Sequence, residues 1–254
     1  GEVGGRVARR LAALGCEIRC VDPPRCRRGL PLPGPEAVLG DVLDADLLTF
    51  HVPLTETGPD ATRHLLDAAA IAALRPGAVV VNAARGGVLD DAALLARMTA
   101  RGDLHLALDV YADEPAPAPA LLAHCRIATP HVAGHSLDGK LRGTLMIRDA
   151  LCRTLDLRPI TGPGDVLPPA PAPVAVEPGR DAALAFAARA RGLLDDSAAL
   201  RAACAAEEAP GAAFERLRRD HPPHRDFALR RLRTSGEAAK LLAAMGFAVE
   251  EGPV

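Results

Sequence analysis

Two periods of apolar patterning alternate along this chain. Short apolar runs at residues 16–21, 46–52, 78–82, 104–109 and 126–129 predict strands buried on both faces, as in a parallel sheet. Between them the spacing turns helical. Val7, Leu11 and Leu14 share one face of a helix over 6–14, with Gly15 placed as its C-terminal cap. A short helix is predicted over 36–43, and another over 68–74 that Arg75-Pro76-Gly77 stops. A further helix spans 90–101, with Asp90 as its N-cap. Residues 23–35, rich in proline, glycine and arginine, read as a loop. A long helix follows over 138–155.

Alternating strands and helices predict an α/β fold: a Rossmann-like, doubly wound parallel sheet whose ligands sit beyond the carboxyl ends of the strands. The pattern then changes. Residues 159–180 hold many prolines and glycines and mark a boundary. Beyond it, helices at 181–194, 197–206, 212–219 and 236–245 with strands near 227–232 and 247–250 predict a small C-terminal α+β domain. The expected division is 1–135 for the sheet domain, 136–165 for the long helix and linker, and 166–254 for the C-terminal domain. No internal repeat is visible.

Composition removes several classes of function. Across 254 residues, 49% are hydrophobic and the formal net charge is −2, which supports a real core and gives no global attraction to nucleic acid or an anionic membrane. One tyrosine, five phenylalanines and no tryptophan leave little to stack on single-stranded bases. No run approaches the length of a membrane span. The six cysteines lack Cys-x-x-Cys spacing and no histidine interleaves with them, so they read as small hydrophobes in a reducing compartment, with no metal site. A cytoplasmic protein without nucleic-acid or membrane partners is expected.

Chemistry gathers just past the predicted strand ends. Gly1-Glu2-Val3-Gly4 is the second half of a Gly-x-Gly-x-x-Gly dinucleotide turn, whose first glycine and strand are absent from the chain. Asp22 follows at about the spacing at which that motif places an acid. A carboxylate there accepts bonds from both ribose hydroxyls and repels a 2′-phosphate, which predicts NAD over NADP. Asn82-Ala83-Ala84-Arg85-Gly86-Gly87 puts an arginine in a glycine-rich turn. Asp109-Val110-Tyr111-Ala112-Asp113-Glu114-Pro115 carries acids, and Thr129-Pro130-His131-Val132-Ala133-Gly134 a histidine between a stiff residue and small ones. His51, also at a strand end, reads as a neighbour with its own partner. Arginine, acid and histidine in this order suit redox chemistry on a hydroxy acid.

These three stretches, over residues 1 to about 157, resemble the D-isomer-specific 2-hydroxy-acid dehydrogenases, in which a Rossmann cofactor domain is inserted into a catalytic domain. Cys20-Val21-Asp22-Pro23-Pro24-Arg25, Gly58-Pro59 with His64-Leu65, and Leu137-Asp138-Gly139-Lys140-Leu141-Arg142-Gly143-Thr144 narrow the resemblance to a member that oxidises a small phosphorylated 2-hydroxy acid. Such a member continues into a dimerisation domain, to which Phe214-Glu215-Arg216-Leu217-Arg218 is similar. The resemblance implies Arg85, Glu114 and His131 as catalytic residues. It implies Asp22, Val52, Asp109 and Gly134 as cofactor contacts, with Gly1, Val3 and Gly4 at the pyrophosphate turn, and a homodimer through residues 166–254.

In that reading Arg85 clamps the substrate carboxylate, His131 takes the hydroxyl proton, and Glu114 fixes the imidazole tautomer. Two positions depart from the family. His135 stands where a tyrosine that meets substrate is common, and Val52 where a threonine is common. The family's N-terminal region is absent, so the chain by itself is expected not to turn over substrate, and the strands ending at Asp22 and Asn82 are each expected to lack a neighbour. The alternatives are a sister dehydrogenase for phosphoglycerate, hydroxypyruvate or glyoxylate, and a non-catalytic NAD-sensing protein of the corepressor kind.

Overall fold

The computed structural model describes residues 1–166, 168–206 and 209–252. In chain order its elements are helix α1 (Glu2–Ala13), α2 (Pro23–Arg27), strand β1 (Leu47–Phe50), α3 (Ala68–Ala73), β2 (Val79–Asn82), α4 (Asp91–Ala100), β3 (His105–Leu108), α5 (Pro119–His124) and β4 (Cys125–Ala128). They continue with α6 (Leu137–Thr154), α7 (Pro163–Val166), β5 (Val174–Ala175), α8 (Arg180–Arg189), α9 (Leu193–Ala206), α10 (Pro210–Arg219), β6 (Arg231–Thr234), α11 (Gly236–Met245) and β7 (Ala248–Glu251). The chain forms two compact units, 1–132 with 192–220, and 133–191 with 221–254.

The first unit is the Rossmann-like α/β sheet that the patterning predicts. Its four strands pair in parallel in the order β1-β2-β3-β4. Their inward side chains, among them Leu48, Phe50, Val80, Leu106, Leu108, Cys125 and Ala128, enter one core with Ile71, Leu94, Leu121 and Leu122 from the crossover helices. Asp67 and Asp90 accept the first-turn N–H groups of Ala70 and Ala93, so α3 and α4 begin where a carboxylate can cap them. Arg97 of α4 is buried, pairs with Asp103, and donates to the carbonyls of Ile71 and Leu74 at the end of α3.

Several expectations are corrected. Residues 16–21 form no strand. Cys20 makes a single parallel bridge with Glu36, because its N–H and C=O reach only Pro35 and Ala37 and no ladder extends the pair. The predicted loop after Asp22 opens with helix α2: Asp22 accepts from Arg25 N and Pro23 fits the first helical position. Helix α1 starts at Glu2, so Val3 and Gly4 lie in its first turn and Gly1 is its N-cap. The strand ending at Asn82 has partners on both sides, since β2 lies between β1 and β3.

The C-terminal division also falls differently. Helices α9 and α10 join the first unit: Leu200, Cys204 and Phe214 belong to its core, Ser197 Oγ accepts Ala128 N at 2.8 Å, and Arg201 donates to the carbonyls of Leu122 and Cys125. Edge strand β4 is thereby satisfied by a segment some 70 residues downstream.

The second unit has its own core of Val176, Ala183, Leu232, Ala238, Leu242 and Phe247. Its three strands run parallel in the order β5-β6-β7, so β6-α11-β7 is a parallel crossover and the unit is not a segregated α+β domain. The short β5 lies inside the segment read as a boundary, where flanking prolines conceal two strand residues; Leu167 of that segment lies outside the described residues. Among the described residues no helix is long and apolar enough to cross a membrane, and no disulfide forms.

Asp138, fully buried at the start of α6, explains part of the diagnostic stretch at 137–144. It accepts Arg225 Nε at 3.0 Å on each oxygen and Asp226 N at 2.8 Å. Burial pushes its carboxyl up, but the Arg225 and Asp226 bonds and nearby Arg142 outweigh that and hold it below the ordinary 3.8. A depressed carboxyl stabilises the fold above its unfolded value and loses that contribution as pH falls through the folded value. Asp138→Asn is therefore expected to cost about 2–3 kcal/mol at pH 7, with a smaller gap to wild type at a pH well below 3.8. Urea unfolding at the two pH values measures it, and an equal cost at both would exclude the charge as the source.

Candidate active site

Three loops at the carboxyl ends of β2, β3 and β4 carry the chemistry of the first unit. The arginine turn leaves β2 at Asn82, which is buried. Its amide donates to Arg85 O at 3.0 Å and accepts Ala84 N at 3.1 Å, so one side chain braces the turn from inside. Arg85 is exposed, with Nη1 on Ala84 O at 2.6 Å, and its fork is able to reach a carboxylate.

The acid loop follows β3. Asp109 is buried, and its Oδ1 accepts Thr129 Oγ1 at 2.6 Å and Val132 N at 2.8 Å, so its carboxylate binds the histidine turn. Sequence reading gave Asp109 a cofactor role, and the bonds seen here are to the protein's own backbone and hydroxyl. Tyr111, also buried, reaches the carbonyls of Leu108 and Thr129 with its hydroxyl and sets its ring edge-on to Phe214 of α10. Burial raises the Tyr111 phenol, so it stays neutral and donating.

Glu114 and His131 meet. Glu114 Oε1 accepts Tyr111 N at 2.8 Å and Oε2 lies 2.8 Å from His131 Nδ1. With Nδ1 on a carboxylate, Nε2 is the ring nitrogen left for proton exchange with a substrate. His131 holds φ 56°, a left-handed conformation unusual outside glycine, and its N–H closes a tight turn onto Thr129 O at 3.0 Å. The side chains are 26% and 20% exposed, shielded enough to strengthen their contact and open enough to meet a ligand.

At α1 the glycine turn and the acid lie side by side. Asp22 Oδ2 lies 2.8 Å from the Gly1 nitrogen while its Oδ1 caps α2. Burial pushes the Asp22 carboxyl up, and the Arg25 N–H it accepts, with the charge of Arg25, pulls it down. Val3 is exposed, and Gly4 faces His51, whose Cβ would stand 3.3 Å from any side chain at position 4. His51 shares a 3.0 Å hydrogen bond with Thr49, and burial lowers its pKa. A glycine at the helix N-terminus beside a charged carboxylate fits a dinucleotide, pyrophosphate on the helix and ribose on the acid. Val52, half-buried, packs against the hydrophobic core. Gly134 and His135 belong to the second unit, Gly134 exposed and His135 half-buried.

Sequence reading missed how closely the arginine turn and the acid loop approach. A Cβ placed on Gly86 would stand 1.8 Å from Tyr111 O and 2.4 Å from its carbonyl carbon, so only glycine fits. Asp91, in the first turn of α4, accepts Ala112 N at 2.8 Å. Burial, with Asp113 and Asp90 nearby, pushes its carboxyl up to about 6. Gly86→Ala is expected to destabilise the first unit by about 1–3 kcal/mol through overpacking. Gly40→Ala, where a Cβ meets nothing within 4 Å, is the control and should shift urea unfolding by about 0.5 kcal/mol or less. Equal shifts would show that the loops do not touch.

Residues 1–133 match the family described as D-isomer specific 2-hydroxyacid dehydrogenase, NAD binding domain. A curated relative from Pseudomonas aeruginosa (strain UCBPP-PA14), named erythronate-4-phosphate dehydrogenase, is 42% identical over 97% of this chain and 66% of its own length. A relative of the same name from Aeromonas salmonicida (strain A449) is 40% identical over 99% of this chain and 67% of its own. The chain thus spans about two thirds of the length of these relatives. A solved D-lactate dehydrogenase from Aquifex aeolicus, complexed with NAD and lactic acid, superposes with a TM-score of 0.48 at 27% identity, covering 61% of this chain and 51% of that one. With its arginine turn, acid loop and histidine turn at successive strand ends, the chain belongs to the D-isomer specific 2-hydroxyacid dehydrogenases, and its first 133 residues match their NAD-binding domain.

Proposed function

We propose that this protein oxidises 4-phospho-D-erythronate at C2, with NAD, to 3-hydroxy-2-oxo-4-phosphobutanoate, a step of vitamin B6 biosynthesis. The observation that carries the reaction class is the Glu114–His131 contact of 2.8 Å, on loops packed beside the Arg85 turn. The name shared by the relatives supports the substrate. A homodimer through residues 166–254 and a cytoplasmic location belong to the same reading and rest on the resemblance and on cysteines that form no disulfide.

NAD, when bound, supplies the hydride acceptor. The protein's own residues do the rest. Arg85 pairs with the substrate carboxylate by two parallel hydrogen bonds and orients C2. His131 takes the hydroxyl proton on Nε2 as the C2–H electron pair leaves and the C2–O double bond forms, and it returns that proton in the reverse direction. Glu114 keeps Nδ1 protonated and offsets the charge the ring gains. Asp22 holds the adenosine ribose and repels a 2′-phosphate.

Two outcomes test this in the full-length protein. His131→Asn should lower kcat with 4-phosphoerythronate by about 10²-fold or more while NAD still binds. Undiminished turnover would remove His131 from the chemistry. NAD should exceed NADP in kcat/KM by about 10²-fold or more, as apposed like charges cost several kcal/mol. Equal efficiency with NADP would overturn the role of Asp22.

A further inference from the structure

The arginine turn and the acid–base couple must keep a fixed spacing, because one holds the substrate carboxylate while the other exchanges its proton. The contacts within each loop do not supply that spacing. Beyond the β2–β3 pairing, which ends with Asp109 N on Asn82 O, the loops meet at the peptide unit joining Tyr111 to Ala112. Its carbonyl lies so close to Gly86 that no Cβ fits between them, and its N–H points to Asp91 Oδ2 at 2.8 Å. Gly86 follows Arg85 directly, and Asp91 opens the helix that the arginine turn leads into. Both edges of one peptide are thus held by the segment that carries the carboxylate clamp. The residue before that peptide, Tyr111, gives its own N–H to Glu114 Oε1, whose second oxygen holds His131.

We infer that Asp91 is a positioning residue for the Glu114–His131 couple: by holding the Ala112 N–H it orients the Tyr111–Ala112 peptide against Gly86 and sets the acid–base pair at its distance from Arg85. Asp91 touches no reacting atom. It is not needed to start its helix, since Asp90 already caps α4 through Ala93 N. A carboxylate half-buried beside Asp90 and Asp113 gains nothing from that company, so its place there answers to the N–H it accepts. What the role requires is an acceptor of this length. Asparagine offers one and alanine does not.

This inference rests on the proposed dehydrogenase reading, and the test separates the two. Asp91→Ala and Asp91→Asn are made in the full-length protein and compared with NAD bound. Asp91→Ala should lower kcat for 4-phosphoerythronate by about 10-fold, the scale of a small misplacement of reacting groups, with KM for NAD within about 2-fold of wild type. Asp91→Asn should restore most of the kcat. The second measurement is the imidazole Nδ1–H resonance of His131, assigned by its loss in His131→Asn. It should persist in Asp91→Asn and broaden or shift in Asp91→Ala. An unchanged kcat and resonance in Asp91→Ala, or an Asp91→Asn as impaired as the alanine variant, would overturn the inference. A wild type that binds NAD but leaves 4-phosphoerythronate untouched would overturn the proposed reaction, and the resonance would then still decide the role of Asp91.

Discussion

A buried carboxylate at the end of β3 holds the site in shape. Asp109 is a residue that water would solvate well, placed where water does not reach, and it is compensated by Thr129 Oγ1 and Val132 N. Those two donors lie on either side of His131, so the bonds that keep a buried charge tolerable also fix the turn that presents the imidazole. The left-handed backbone of His131 fits the same picture, since a residue stays in such a conformation only when its surroundings over-determine it. Remove the carboxylate and the turn loses its bracing on both sides of the histidine. The Glu114–His131 contact therefore stands on an interaction made one step behind it.

Electrostatics beside α1 follows a different logic. Asp22 is partly open to solvent, and the Arg25 N–H at the start of α2 works against what burial costs it. Asp109 gives its charge to the protein's own architecture, whereas Asp22 presents a carboxylate at the mouth of a helix. Two aspartates thus serve unlike purposes, one after a strand and one at a helix start, and the difference lies in what each has been given to bond.

That difference marks what could be read from the chain alone. The couple of Glu114 and His131, and Arg85 beside it, were legible because each sits in a compact motif at the end of an apolar run, and a parallel sheet brings such ends to one side. Asp91, Asn82 and Gly86 were not legible as site residues. They act through backbone groups, Gly86 and Asp91 across a contact more than twenty residues away in sequence, and no local pattern announces that. Residues 16–21 have the composition of a strand but pair at one residue only, so period and propensity mispredicted a ladder that needs a partner. The helices over 193–219 were found near their true limits, yet their allegiance was not, because Ser197, Arg201 and Phe214 look alike whether they serve a C-terminal domain or the edge of β4. Asp138 and Arg225 stand 87 residues apart, and only the folded chain pairs them.

The assignment of α9 and α10 to the sheet unit has a consequence for how the protein is made. Neither unit is a continuous stretch, for the chain passes from one to the other at residues 132–133, 191–192 and 220–221. During synthesis from the N-terminus the four strands of the large sheet emerge long before Leu200 and Phe214, the pieces that finish its core, and before Ser197 reaches the backbone of β4. Until then a growing chain carries an open sheet edge and an apolar surface awaiting a cover encoded some seventy residues later. The ribosome thus releases a finished cofactor-binding sheet only after the whole 133–191 segment of the smaller unit has also been translated, and nascent chains of intermediate length are the ones on which a chaperone would find its work.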